Sequence, residues 1–65
     1  KMQVECREEN NIQFAKIYRN KTKQQAVEIA QAWCNQSGRS ATIRKMQKAI
    51  MRYWRDDQGL QYLEY

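Results

Sequence analysis

Residues 26–57 read AVEIAQAWCNQSGRSATIRKMQKAIMRYWRDD, and this central stretch decides the expected fold. Apolar residues in its first part recur at spacings of three and four: Ala26, Ile29, Ala30, Trp33 and Cys34. That spacing is typical of a helix with one apolar face. Thr22 and Gln25 form a capping-box pattern ahead of it, and Gly38 can adopt the left-handed conformation that ends a helix. We therefore predict a helix that begins after Thr22 and ends before Gly38.

A second helix is predicted from Ala41 to Trp54, with Ser40 as its N-cap. Its apolar positions again follow spacings of three and four: Ile43, Met46, Ala49, Ile50, Tyr53 and Trp54. The opposite side of this helix would carry a continuous basic stripe: Arg44, Lys48, Arg52 and Arg55. The stretch as a whole is interpreted as two helices joined at a corner, with a basic outer face.

The flanking segments are predicted to support this pair. Phe14 and Tyr18 form an i,i+4 pair, which favours a short helix over residues 12–19, and a last short helix is predicted over residues 58–65. Residues 1–11 stay open, because Met2, Val4 and Cys6 alternate as in a strand while the intervening glutamates suit a helix. With no proline and no hairpin dipeptide, the chain is expected to be an all-α small antiparallel bundle, a single domain over residues 1–65.

The net charge is +5, and it is unevenly distributed. Residues 1–15 carry two bases and three acids, residues 16–55 carry ten bases and one acid, and residues 56–65 carry three acids and no base. A basic middle with acidic ends suits an anionic partner, and it also makes one copy electrostatically complementary to another.

The two cysteines, Cys6 and Cys34, are too few for a structural zinc site in a chain without histidine. One disulfide between them is arithmetically possible, but such sparse cysteines favour reduced thiols and a cytoplasmic protein. We find no apolar run long enough for a membrane span and no secretory leader. The chain begins at Lys1 rather than at a methionine, so we expect a fragment of a longer protein.

Catalysis is not expected. Without histidine, acid–base chemistry would require carboxylates held in a cleft. The pairs Glu8-Glu9 and Asp56-Asp57 are adjacent in sequence and would point apart on a helix. Cys34 lies on the apolar face, where a buried structural thiol is expected rather than a nucleophile. No cofactor and no metal are predicted.

The basic stripe leaves two binding functions open. One is a helix-turn-helix that places residues 41–55 in the major groove of DNA. The other is binding to an acidic patch on a protein partner, where charge complementarity sets orientation and partner choice. A small scaffold bundle with no recognition of its own is a third alternative.

The spacing of this stretch also resembles the death domain, a six-helix signalling fold. The residues that carry the resemblance are Trp33, Gly38, Ala41-Thr42-Ile43, Met46, Ala49-Ile50, Arg55-Asp56-Asp57, Leu60 and Leu63. It covers roughly residues 22–64, with the N-terminal helices missing or condensed in the 24 residues before Gln25. Among death domains, the pattern is most similar to the insect Imd and receptor-interacting-kinase types.

The resemblance implies a non-catalytic cytosolic adaptor that assembles with other death domains, or with itself, in innate immune or apoptotic signalling. Such assembly joins two different charged surfaces of each subunit. The implied positive surface consists of Arg39, Arg44, Lys48, Arg52 and Arg55, with Gln36 beside Arg39 in the corner loop. The implied negative surface consists of Glu5, Glu8, Glu9, Asp56 and Asp57.

Overall fold

A computed structural model describes all 65 residues and shows a sheet with one helix. In chain order the elements are β1 (Met2–Glu8), β2 (Asn11–Lys21), α1 (Lys23–Trp33), β3 (Arg39–Lys45), β4 (Lys48–Asp56) and β5 (Gly59–Glu64). The prediction of an all-α bundle is therefore wrong. The helix expected after Thr22 is the one helix of the fold.

The five strands form one sheet in the order β2-β1-β3-β4-β5, and all neighbours are antiparallel. Strands β2 and β3 run parallel to each other with β1 between them, because each is antiparallel to β1. Helix α1 connects β2 to β3 and packs on β1 and β3. It lies on one face of the sheet, over β1 and β3, and leaves the other face open.

The core lies between α1 and the sheet, and nine apolar residues are buried there. They are Val4, Cys6, Ala26, Ala30, Cys34, Ala41, Ile43, Met51 and Tyr53. Alanine at two helix positions and at one strand position allows the helix backbone to approach the sheet closely. Since only nine side chains are buried, the hydrophobic contribution to the free energy of unfolding is small, as expected for a chain of this length.

The segment predicted as the second helix is the hairpin of β3 and β4. Ala41 and Ile43 are buried, as are Met51 and Tyr53, so burial in each strand follows a period of two. The spacings of three and four arise because the list of apolar residues runs through the turn between the strands. At that turn Met46 and Gln47 have φ of 52° and 68°. Two consecutive left-handed residues are typical of a type I′ hairpin turn, although the usual Asn-Gly is absent.

The predicted helix over residues 12–19 is also wrong, because these residues belong to β2. Phe14 and Tyr18 are four residues apart, and a spacing of four places two side chains on one side of a helix or of a regular strand. Strand β5 replaces the helix expected over residues 58–65. Its turn is set by the Asp56 carboxylate, which accepts a hydrogen bond from the Gln58 N–H at 2.9 Å.

The helix predicted between Thr22 and Gly38 is confirmed. The Thr22 hydroxyl accepts from the Gln25 N–H at 3.1 Å, and the Gln25 side chain accepts from the Thr22 N–H at 3.0 Å. This is the predicted capping box. The helix ends at Trp33, with Cys34 as its C-cap. Gly38 has a φ of 85°, but it lies in the loop before β3 instead of ending the helix.

Candidate functional site

No other element covers the face of the sheet opposite α1, and we call it the open face. The register of the strands places these side chains on it: Gln3, Glu5, Arg7, Ile17, Ser40, Thr42, Arg44, Ala49, Arg52, Trp54, Gln61 and Leu63. They alternate along the strands with the buried residues of the core. To this face β1, β3 and β4 contribute three arginines and one glutamate.

One of these three arginines of β1, β3 and β4 is neutralised and two are not. Arg44 on β3 donates from Nε to the Glu5 carboxylate on β1 at 2.8 Å, and this is the one salt bridge of the chain. The guanidinium groups of Arg7 and Arg52 have no carboxylate within 4 Å and no hydrogen bond within the protein. Both side chains are exposed, so both can bind an anion from solution.

Trp54 lies beside these two free arginines. Arg7 is opposite Ser40, and Ser40 is opposite Trp54, so the three residues form one row across β1, β3 and β4. The Arg52 guanidinium carbon is 5.6 Å from the centre of the Trp54 ring. Trp54 is half-buried. We call the four residues Arg7, Ser40, Arg52 and Trp54 the Trp54 cluster.

A depression of about 540 Å³ includes the Trp54 cluster. Its remaining lining residues come from the ends of β1, β2, β3 and β4 and from the connections beside them: Glu8, Glu9, Ile12, Gly38, Arg39, Arg55 and Asp56. The Glu9 N–H donates to the Gly38 carbonyl at 2.7 Å, which fixes the turn against the loop. The depression is therefore bounded by backbone that is held in place.

Two further arginines of this region are already engaged at the C-terminus of α1. The Arg55 Nε donates to the Cys34 carbonyl at 2.7 Å. Arg39 donates to the Trp33 carbonyl at 3.3 Å and lies 4.1 Å from the Trp33 ring. Both cations satisfy carbonyls that the last turn of a helix leaves without partners, and they interact favourably with its dipole. These two arginines therefore have a structural role.

Trp33 is fixed by the same contacts. Its ring stacks on Phe14 with the centroids 5.4 Å apart and the planes at 2°, and its Nε1 donates to the Arg7 carbonyl at 3.1 Å. Trp33 therefore joins the helix end to β1 and β2. Because its carbonyl partner belongs to Arg7, this contact also holds the backbone of the Trp54 cluster.

The residues predicted from the sequence as partner contacts do not form the expected surfaces. The stripe of Arg44, Lys48, Arg52 and Arg55 required a helix, and the strands divide it. Arg44 is paired with Glu5, Lys48 begins β4 beside the turn, Arg52 is on the open face and Arg55 caps α1. Only Arg52 of these four stays free on the open face.

The other predicted contacts are scattered around the same end of the sheet. Gln36 is exposed in the loop after α1, and its side-chain oxygen is within 2.7 Å of the Arg39 guanidinium when the amide is oriented for bonding. Glu8, Glu9 and Asp56 line the depression, and Asp57 lies in the β4–β5 turn. The structure thus brings acids and bases together instead of separating them into two surfaces.

Arg7 is not among the predicted contact residues, and the helical spacing predicted a core position for Trp54. The signal for Arg7 was the alternation of Met2, Val4 and Cys6, which assigns Arg7 to the opposite face. The signal for Trp54 was the alternation of buried and exposed positions at Met51, Arg52 and Tyr53. Once the segment was interpreted as a helix, the position of Trp54 in the spacing of three and four pointed inward.

Both cysteines are free thiols buried in the core. Burial is the main cause that raises the pKa of Cys34 to about 11, and it also raises the pKa of Cys6. The Cys34 thiol lies 3.8 Å from the Arg39 carbonyl. Both thiols are thus protonated at neutral pH, and a protonated thiol is a poor nucleophile. No group of three or more His, Cys, Asp or Glu residues is arranged to hold a metal ion.

The helix, α1, is neither long nor apolar enough to cross a membrane. Comparison of the chain with protein families, with curated proteins and with solved structures gives no match. The resemblance to the death domain is contradicted by the antiparallel sheet, and no family match supports it. The immune and apoptotic signalling role that the resemblance implied is therefore not retained.

Proposed function

We propose that this chain is a non-catalytic binding module that holds single-stranded nucleic acid on its open face, centred on the Trp54 cluster. The observation that carries the proposal is the position of two free arginines, Arg7 and Arg52, around the half-buried ring of Trp54. Arginines bind phosphates, and an aromatic ring offers a face on which a base can stack.

The overall charge supports this proposal. A net charge of +5 on 65 residues attracts polyanions at long range and speeds their association. Single strands fit better than duplex DNA, because the hypothesis of a groove-reading helix required residues 41–55 to be helical. They form a hairpin instead. The exposed side of α1 carries mainly glutamine, with one base, Lys23, and one acid, Glu28, so it offers no comparable basic surface.

Binding of a fluorescein-labelled thymidine oligonucleotide, measured by fluorescence anisotropy at several salt concentrations, tests the proposal. The Arg7→Gln and Arg52→Gln variants should each weaken binding about tenfold, which corresponds to about 1.4 kcal/mol. Each should also lower the slope of log K against log salt by about 0.7. Trp54→Leu should weaken binding by about 1–3 kcal/mol through loss of base stacking.

Lys23→Gln is the matched control, because Lys23 is an exposed base in the first turn of α1 and its loss changes the net charge by the same amount. We expect this variant to bind within about twofold of the wild type, as a residue outside the site contributes only long-range attraction. Equal weakening by Lys23→Gln and Arg52→Gln would show that the net charge attracts the oligonucleotide without a defined binding site, and it would refute the proposal. Tighter binding of a duplex than of the single strand would also refute it.

A further inference from the structure

Strand β5 forms one edge of the sheet, and this edge is unprotected. Its register with β4 continues without a bulge from the Met51–Glu64 pair to the Asp56–Gly59 pair. The strand contains no lysine, arginine or proline. Tyr62 and Leu63 remain 59% and 49% exposed. A regular edge with apolar side chains and no such protection favours pairing with another strand.

The other edge of the sheet, β2, is protected in the usual ways. Its register with β1 is interrupted twice, and it carries Lys16, Arg19 and Lys21. Bulges and basic residues are the features that prevent edge-to-edge pairing in natural sheets. Because one edge has these features and the other lacks them, pairing is expected at β5 alone.

The direction of the backbone shows which hydrogen-bonding groups of β5 are available to another strand. The Tyr65 N–H donates to the Ile50 carbonyl of β4 at 3.0 Å. Since N–H groups alternate in direction along a strand, those of Leu60, Tyr62 and Glu64 point away from the sheet. We propose that β5 pairs antiparallel with β5 of a second copy, about a two-fold axis that passes beside Tyr62.

The sequence of β5 is self-complementary in this register. Tyr62 lies opposite Tyr62 of the second copy, Leu60 lies opposite Glu64, and Gln61 lies opposite Leu63. No two like charges face each other. Leu60 is also paired with Arg55 of β4. Arg55, Leu60 and Glu64 of the second copy therefore lie in one row across the three strands, with a base and an acid at its two ends. A chain with a net charge of +5 resists self-association elsewhere, but β5 contributes no positive charge to oppose it.

The two-fold axis is perpendicular to the sheet, so the helices of both copies lie on one side and the open faces join on the other. Trp54 is opposite Gln61, and Leu63 is opposite Arg52. Pairing of Gln61 with Leu63 of the second copy therefore places Trp54 of one copy and Arg52 of the other in one row, about 14 Å apart at the usual strand spacing. This consequence for binding rests on the proposed function. The pairing itself does not.

Sedimentation equilibrium of the chain without nucleic acid tests the pairing. We expect the mass to rise with concentration from 7.9 kDa to twice that value and no further, since both β5 edges are then covered. Tyr62→Lys should keep the chain monomeric, because it places two ammonium groups opposite each other. Ile17→Lys on β2 is the control and should dimerise like the wild type.

Oxidative cross-linking then tests the register. In the proposed dimer the two Cα atoms of residue 62 are about 5.5 Å apart, which a disulfide can bridge. Tyr62→Cys should therefore form a covalent dimer rapidly. Gln61→Cys and Leu63→Cys should do so at least tenfold more slowly, because each faces a different residue. The buried thiols of Cys6 and Cys34 do not compete.

A chain that remains monomeric at millimolar concentration would overturn the proposal. A dimer that Ile17→Lys abolishes and Tyr62→Lys does not would assign the pairing to β2 and would also overturn it. Because no nucleic acid is present, failure here is separate from failure of the binding proposal.

Discussion

Single residues at the C-terminus of α1 hold the helix to the sheet. The Arg55 guanidinium and the Cys34 carbonyl form a charge-assisted hydrogen bond of 2.7 Å between β4 and the helix cap. Trp33 and Arg39 add a ring–cation contact of 4.1 Å in the same region. In a core of nine buried residues, such contacts account for a considerable part of the free energy of unfolding.

Replacement of Arg55 by glutamine should lower the free energy of unfolding by about 1–2 kcal/mol, because the Cys34 carbonyl loses a charged donor. Chemical denaturation monitored by circular dichroism measures this change. Arg52→Gln is the control from the same strand, and we expect a change within about 0.5 kcal/mol, since Arg52 makes no hydrogen bond within the protein. Equal effects of the two substitutions would show that the Arg55 contact is not stabilising.

At the scale of the elements, the sequence predicted the helix but not the strands. The capping box of Thr22 and Gln25 and the buried face of Ala26 and Ala30 are local signals, and local interactions decide them. The central pairing of the sheet depends on partners far apart in sequence, since β1 pairs with β3 across the intervening β2 and α1. The other three pairings join strands that are consecutive in the chain, and their turns carry no dipeptide that identifies a hairpin. Only Met2, Val4 and Cys6 alternate as a strand does, and the neighbouring glutamates suit a helix equally well.

The β3–β4 turn was missed because its residues are atypical. Met46 and Gln47 both have positive φ, which costs non-glycine residues about 1 kcal/mol or more each. Neither belongs to the dipeptides that identify hairpins, so apolar residues on both sides were joined into one helical pattern. The candidate site could not be predicted without this turn, because the face on which Trp54 and Arg52 lie follows from the strand assignment.

The double substitution Met46→Asn and Gln47→Gly should therefore raise the free energy of unfolding by about 1 kcal/mol, since both residues suit a type I′ turn. For a chain of this size the melting temperature should rise by about 4–8 °C. In a helix over residues 41–54 the same substitutions would cost about 1 kcal/mol or more, chiefly from glycine. Thermal unfolding thus distinguishes hairpin from helix by the sign of the change. A lower melting temperature would contradict the hairpin.

At the scale of the whole molecule, the fold brings the charged segments of the chain together. The acidic N-terminal segment becomes β1, which lies beside the basic β3, and the Glu5–Arg44 pair neutralises part of the middle segment. The composition predicted an anionic partner, but it could not show which bases remain free. That distinction required the sheet: among the arginines of β1, β3 and β4 it leaves Arg7 and Arg52 free and engages Arg39, Arg44 and Arg55.

The most direct test of the open face as the binding surface is a ¹⁵N–¹H correlation spectrum titrated with a short single-stranded oligonucleotide. Amide shifts should concentrate on the central open-face residues of β1, β3 and β4, with the Trp54 indole N–H among the largest. Amides on the exposed side of α1, such as Glu28 and Gln31, should barely move. Shifts that concentrate on α1 and leave Arg7, Ser40, Arg52 and Trp54 unchanged would contradict the assignment of the open face as the binding surface.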